Sequence, residues 1–340
     1  MRALCIAALL LLASFGAASA YDVKEIGSYF IGGQIITMTG LPEETVYFYP
    51  GAPPTEYNPN GDVHTGQMYV HFVRLTHPAG TVPLILVHGG GLSGTGWEST
   101  PDGRPGWQQF FLNAGFDVIV PDQVERGRSN WSRYPQIFTS SPLFRTAQEA
   151  WTLFRVGTTY NTDPTKRVAW PGGQFPLAGY DSFVASFNAR WTTTDAVAQA
   201  AWDQLVDREC PCVLIAHSAG SGFAVRAALR APEKIRALIG LEPSAAPNPT
   251  TVDMARLKAI PMLFVWGDHL ADYPDWQRIV INPTKFQDAM AAQGGHMDVV
   301  HLPDRGITGN THMMMIDRNS DQVAGVVRDW LVAQGLTAAR

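Results

Sequence analysis

The stretch PCVLIAHSAG (211–220), continuing as SGFAVRAALR (221–230), decides how this chain is read. A short apolar run of Val, Leu and Ile predicts a buried strand, and the following segment, with Phe223, Val225 and Leu229, predicts a helix. A serine at a sharp strand-to-helix turn is forced outward, while small residues at Ala216 and Gly220 let the two backbones approach. The helix then aims its positive N-terminal end at the hydroxyl. Ala216 stands where the usual pattern has glycine. Pentapeptides of this kind arise often by chance, so the strand before Ser218 and the helix after it are what make Ser218 a candidate nucleophile rather than a structural serine.

Working outward, the same alternation recurs. Apolar runs PLILVHG (83–89), FDVIVPD (116–122), RALIGLEP (236–243), PMLFVWGD (261–268) and DVVHLP (298–303) are separated by helical stretches near 104–114, 195–208, 219–231 and 322–335. That is the pattern of an α/β fold with a mostly parallel sheet covered on both faces. Segments 29–36, 45–49 and 68–75, rich in Tyr, Phe, Ile and Val and bounded by Gly, Pro and Asn, predict an antiparallel entry to the sheet. The interval of about 130–194 is too long for an ordinary loop and predicts an inserted cap. Thirteen aromatic residues fall within its 131–191 stretch, a density that suits a lid over an apolar pocket, with most rings packing the cap onto the sheet. Without repeats or flexible linkers, 21–340 reads as a single domain.

Composition excludes several classes. With 340 residues, 46% hydrophobic and 16% charged, the chain can bury a large core and is neither disordered nor fibrous. Its net charge of −5, with no long basic run, argues against a nucleic-acid partner. Residues 1–20, MRALCIAALLLLASFGAASA, combine Arg2, an apolar stretch from Leu4 to Leu12 and an Ala18-x-Ala20 site, the pattern of a secretory signal peptide. The stretch is too short to span a bilayer, so the expectation is a secreted or periplasmic protein starting near Tyr21 without a membrane anchor. Cys210 and Cys212 lack companions for a metal site. A bridge across one residue would be strained, so free thiols are expected there. The sequon Asn130-Trp131-Ser132 matters only in a glycosylating host.

A serine hydroxyl is a weak nucleophile until an imidazole takes its proton. His312, in GNTHM (309–313) between the last strand and the final helix, is best placed to do so. His296 and His301 read as surface or structural histidines, and His217 as a pocket residue whose ring cannot easily face the serine hydroxyl. The acid is Glu242, ending one strand, or Asp268, ending the next; either could orient the imidazole, and the loser would cap a loop. His88-Gly89-Gly90-Gly91 ends the first parallel strand and supplies a close-approaching backbone, so the amides of Gly90 and Ala219 are assigned to an oxyanion hole. Gly89, Gly91 and Gly94 also spell a dinucleotide fingerprint, but the strand is not the first of the sheet and no acidic residue follows at the required distance. No Lys follows Gly94, so a phosphate-binding P-loop is excluded as well. Such a site needs only water as second substrate, hence no metal or organic cofactor is expected.

With these residues in place the chain resembles the α/β-hydrolase superfamily, and more closely the secreted or periplasmic bacterial esterases typified by an Alcaligenes esterase. The motifs that carry the resemblance are VHGGGLSGTGWESTPDGRPGW (87–107), PDQVERGRSNW (121–131), the turn at Ser218, WGDHLADYPDW (266–276) and GNTHMMMIDRNSDQVA (309–324). The resemblance implies that the acid is Glu242, with Asp268 and His269 as pocket or structural residues, and that the enzyme is a homodimer. One departure stands out: the type member has two cysteines where Gly90 and Gly91 stand here, so only the backbone donor role carries over. The implied activity is carboxylic-ester hydrolysis through Ser218, His312 and Glu242, and the Trp- and Phe-rich composition of the cap points to apolar or bulky esters. A lactonase or other acyl hydrolase would use the same machinery, and a catalytically silent ligand-binding hydrolase fold is the rival from another class.

Overall fold

The computed structural model describes residues 21–131 and 133–337; residues 1–20, expected above to be a signal peptide, and Ser132 of the sequon lie outside the described residues. An eight-stranded sheet runs through the molecule. Its strands are β1 (Val23–Met38), β2 (Gly61–Leu75), β3 (Leu84–Val87), β4 (Val118–Asp122), β5 (Cys212–His217), β6 (Ile235–Leu241), β7 (Met262–Trp266) and β8 (Met297–His301). In space their order is β1-β2-β4-β3-β5-β6-β7-β8. The first two pairings, β1 with β2 and β2 with β4, are antiparallel and all the rest are parallel.

Strand periodicity explains the layering. Successive side chains point to opposite faces, so an unbroken apolar run fills two cores. In β5, Val213 and Ile215 enter one core, whereas Cys212, Leu214 and Ala216 enter the other; Leu84 and Leu86 of β3 divide from Ile85 and Val87 in the same way. Helices α1 (Trp107–Asn113) and α8 (Ser320–Ala333) cover the first core. Helices α4 (Asp195–Glu209), α5 (Gly220–Arg230) and α7 (Ile281–Ala292) cover the second.

Three sequence expectations need correction. Residues 45–49 do not join the main sheet, because Glu44–Val46 pairs instead with Thr55–Tyr57 in a separate exposed hairpin. Two helices, α6 (Pro274–Ile279) and α7, fill the interval between β7 and β8 where none was expected. And Cys210 and Cys212 are joined by a disulfide. A fully extended chain would separate these Cα atoms by about 6.7 Å. The bend at Pro211 between α4 and β5 brings them to 4.4 Å, inside the range a bridge requires.

Between β4 and α4 the segment 130–194 is built of short pieces, among them α2 (Ala147–Leu153), α3 (Tyr180–Ala185) and a small hairpin pairing Gly157–Thr159 with Val168–Ala169. Most of its rings pack on one another: Tyr180 touches Trp151, Tyr160, Phe175 and Phe183, and Phe183 touches Phe187. Phe154 touches Phe183 and Phe187 and also reaches the loop of His312, its ring 5.2 Å from that of the histidine.

Candidate active site

The order of the strands reverses at β3, whose sequence neighbour β4 lies on one side and β5 on the other. Loops leaving the carboxyl ends of β3 and β5 therefore diverge, and the crevice between them is where parallel sheets place ligands. Ser218 follows β5 immediately, at φ +52°, and its N–H donates to the Leu241 carbonyl at 3.0 Å. A left-handed backbone at a non-glycine residue is costly and is held by its surroundings. Two close approaches explain the small residues here: a Cβ at Gly220 would lie 2.5 Å from the His88 carbonyl oxygen, and one at Gly89 would lie 2.7 Å from His217 Nδ1.

Three distant parts of the chain meet at this turn. The Ser218 hydroxyl and His312 Nε2 are 2.9 Å apart, and His312 Nδ1 donates to Glu242 Oε2 at 2.7 Å. Glu242 directly follows β6, also with positive φ (+45°), and is fully buried. Its second oxygen accepts from the Gly267 N–H at 2.9 Å and from the Arg155 guanidinium. Burial alone would raise the Glu242 carboxyl; the Arg155 charge and the His312 hydrogen bond reverse this and hold it below its ordinary value. Burial lowers His312, and Glu242 only partly restores it against the charges of Arg155 and Arg145. The net effect favours the neutral imidazole, the form that can accept a proton at Nε2.

Asp268, the rival acid, faces elsewhere. Its carboxylate accepts from the Gly309 and His269 N–H groups, both at 2.8 Å, capping the loop that carries His312. His269 stacks on Trp170 at 4.5 Å and bonds Asp272. His217 donates from Nε2 to the His312 carbonyl at 2.9 Å, and burial pushes it far below its ordinary value, so it is a neutral prop for the loop. His296 and His301 are exposed.

The structure gives roles to residues that the sequence reading left without one. Arg155, buried at positive φ, bonds Glu242 and the Asp268 carbonyl and lies 4.5 Å from the ring of Trp276. A lone arginine inside the apolar run LFRVG (153–157) was the available signal, since a buried charge demands a partner. Asp317 accepts from the Thr311 N–H and hydroxyl, both at 2.8 Å, and from Asn310 at 3.1 Å; burial still pushes it up to about 7. On the glycine loop, Asp122 accepts from the Gly94 N–H at 2.6 Å and from Arg128 at 2.8 Å. Ser244 places a second hydroxyl 3.2 Å from that of Ser218.

Ser218, His312, Gly90 and Ala219 line one cavity of about 120 Å³. Its apolar wall is Leu92, Leu153, Phe154, Trp276 and Ile279, so of the thirteen aromatic residues of 131–191 only Phe154 contributes. Among the described residues, the amides of Gly90 and Ala219 donate to no protein acceptor, and Ala219 precedes the N-terminus of α5. The arrangement can therefore activate a hydroxyl and offers two N–H donors beside it.

Comparison with known proteins identifies the family of the fold. The sequence profile of the α/β hydrolase fold matches residues 82–289. A fungal protein described as a probable secreted lipase is 27% identical, the match covering 86% of this chain and 90% of the relative. The solved structure of a bacterial esterase superposes with a TM-score of 0.79 at 32% identity, covering 93% of this chain and 97% of the other.

Proposed function

Since the chain belongs to the α/β hydrolase fold family, we propose that it is a carboxylic-ester hydrolase working through Ser218, His312 and Glu242. The observation that carries this reading is the unbroken relay from hydroxyl to imidazole to buried carboxylate at the floor of a cavity. Ser218 Oγ attacks the ester carbonyl carbon while its proton passes to His312 Nε2. The oxygen of the tetrahedral intermediate is held by the Gly90 and Ala219 N–H groups. Collapse breaks the bond to the alcohol, which leaves with the proton from His312. A water molecule, deprotonated by the same nitrogen, then attacks the acyl-enzyme and releases the acid and free Ser218. Glu242 keeps Nδ1 protonated and stabilises the imidazolium; Arg155 and the Gly267 N–H fix Glu242. Leu92, Leu153, Phe154, Trp276 and Ile279 receive the hydrocarbon parts of the ester.

The test is direct. Ser218→Ala removes hydrolysis of p-nitrophenyl esters while leaving the thermal unfolding transition in place, and a fluorophosphonate labels the wild type at Ser218 only; undiminished turnover in the variant would overturn the mechanism. A panel that includes lactones separates ester from lactone hydrolysis.

Export after removal of residues 1–20 is part of the same reading, supported by the composition of that segment and by the secreted description of the fungal relative. Among the described residues no helix is long and apolar enough to cross a membrane. N-terminal sequencing of exported protein should begin at Tyr21. Two copies are proposed to pair across β1, a 16-residue strand at the sheet edge whose Ile26, Phe30 and Ile35 are 64%, 59% and 67% exposed. A long apolar edge left open is an aggregation hazard, and pairing removes it.

A further inference from the structure

The cavity around Ser218 carries a charge that ester hydrolysis by itself does not require. Two guanidinium groups, Arg145 and Arg190, line it, and none of the described lining residues is Asp or Glu. This holds in a chain whose net charge is −5. Arg190 lies against the glycine loop: a Cβ at Gly90 would sit 2.5 Å from its Nη1 and 3.3 Å from the Ala219 Cβ, so the missing side chain at position 90 is what leaves the guanidinium room. The backbone of Arg190 is fixed by a bridge to Leu143, with bonds of 2.9 and 2.7 Å. Its side chain, in contrast, makes no hydrogen bond or ion pair with any described residue. Arg145 is only partly used. It bonds the exposed Glu149 at 2.6 Å and lies 4.8 Å from the Phe154 ring, while its buried Nε has no acceptor. Burial disfavours the charge of Arg145 and the like charge of Arg190 adds to this, with Glu149 offsetting them only in part. Holding like charges together beside a cavity is costly unless an anion enters it.

We propose that Arg190 and Arg145 form an anion subsite and that the preferred substrates are esters retaining a free carboxylate, such as half-esters of dicarboxylic acids. A planar carboxylate fits the fork of a guanidinium in a way a compact cation site would not exploit. The apolar wall takes the methylene chain, the arginines take its charged end, and the scissile carbonyl lies at Ser218. This rests on the serine-hydrolase reading of the site.

The experiment compares mono-p-nitrophenyl adipate with the analogue in which the free carboxylate is a carboxamide, both corrected for spontaneous hydrolysis. A charge-assisted contact of this kind corresponds to a preference of about tenfold or more in kcat/KM for the anion. The preference should shrink as ionic strength rises, and Arg190→Gln should reduce the ratio between the two substrates about tenfold. Wild-type enzyme with a ratio near one overturns the subsite. So does an Arg190→Gln variant that slows both substrates equally, an outcome that would assign the guanidinium to the oxyanion instead. Should the variant not fold, inhibition of the wild type decides: glutarate must compete with the half-ester and glutaramide must not. Failure of the subsite differs visibly from failure of the mechanism, since in the first case both esters still turn over and Ser218 is still labelled by fluorophosphonate, and in the second neither holds.

Discussion

At the scale of the residue, the contest between Glu242 and Asp268 shows what distance does that order in the chain cannot. Both end parallel strands, yet Glu242 Oε2 lies 2.7 Å from His312 Nδ1 while Asp268 holds the Gly309 amide. Glu242→Gln keeps the shape and removes the charge, so the imidazole loses the acceptor that selects its tautomer. The expected loss in kcat is about 10⁴-fold, measured under saturating ester with folding checked by circular dichroism. The pH dependence has a definite sign. His312 must be neutral to take the serine proton, so kcat/KM rises with pH through its pKa. Burial and the charges of Arg155 and Arg145 lower that pKa, and the acid limb should therefore have its midpoint below the ordinary histidine value of about 6.5. A midpoint above that value would show that Glu242 outweighs burial.

At the scale of the element, catalytic placement depends on loops whose own hydrogen bonds are met by carboxylates. The loop 309–317 carries His312 but is shaped by Asp317 from its far end and by Asp268 from the end of β7. Asp317→Ala strands the Thr311 amide and hydroxyl in a buried site, at a cost of about 2–4 kcal/mol in stability. It should lower kcat as well, although Asp317 touches no reacting atom; chemical denaturation and steady-state kinetics on one preparation check both. Normal stability with unchanged kcat would show that the loop holds its shape without this carboxylate. The strands and flanking helices were legible element by element because buried parallel strands read as unbroken apolar runs. The helices over 274–292 were not, since α7 shows little segregation of apolar from polar positions along INPTKFQDAMAA. The hairpin at 44–57 also escaped, because an exposed pair of three-residue strands has no buried face to impose alternation.

At the scale of the whole molecule, two copies pairing across β1 should sediment at twice the monomer mass, and Ile35→Asp should yield monomers that keep esterase activity, because the strand lies at the opposite end of the sheet order from β6–β8. A wild type that sediments as a monomer would remove the pairing. The local identities of the reactive groups were legible in the chain itself: a serine at a strand-to-helix turn, a glycine loop after a strand and a histidine before the last helix each follow from short-range geometry. Tertiary structure brought Glu242, which the resemblance had already favoured over Asp268, to the imidazole. It also brought Arg155 from segment 130–194 to Glu242 and turned Arg145 and Arg190 into the same cavity. The physical reason is range. Turn chemistry and periodicity act over a few residues and leave a mark on sequence, whereas a charge pair closed across 87 residues depends on how the whole sheet and segment 130–194 pack.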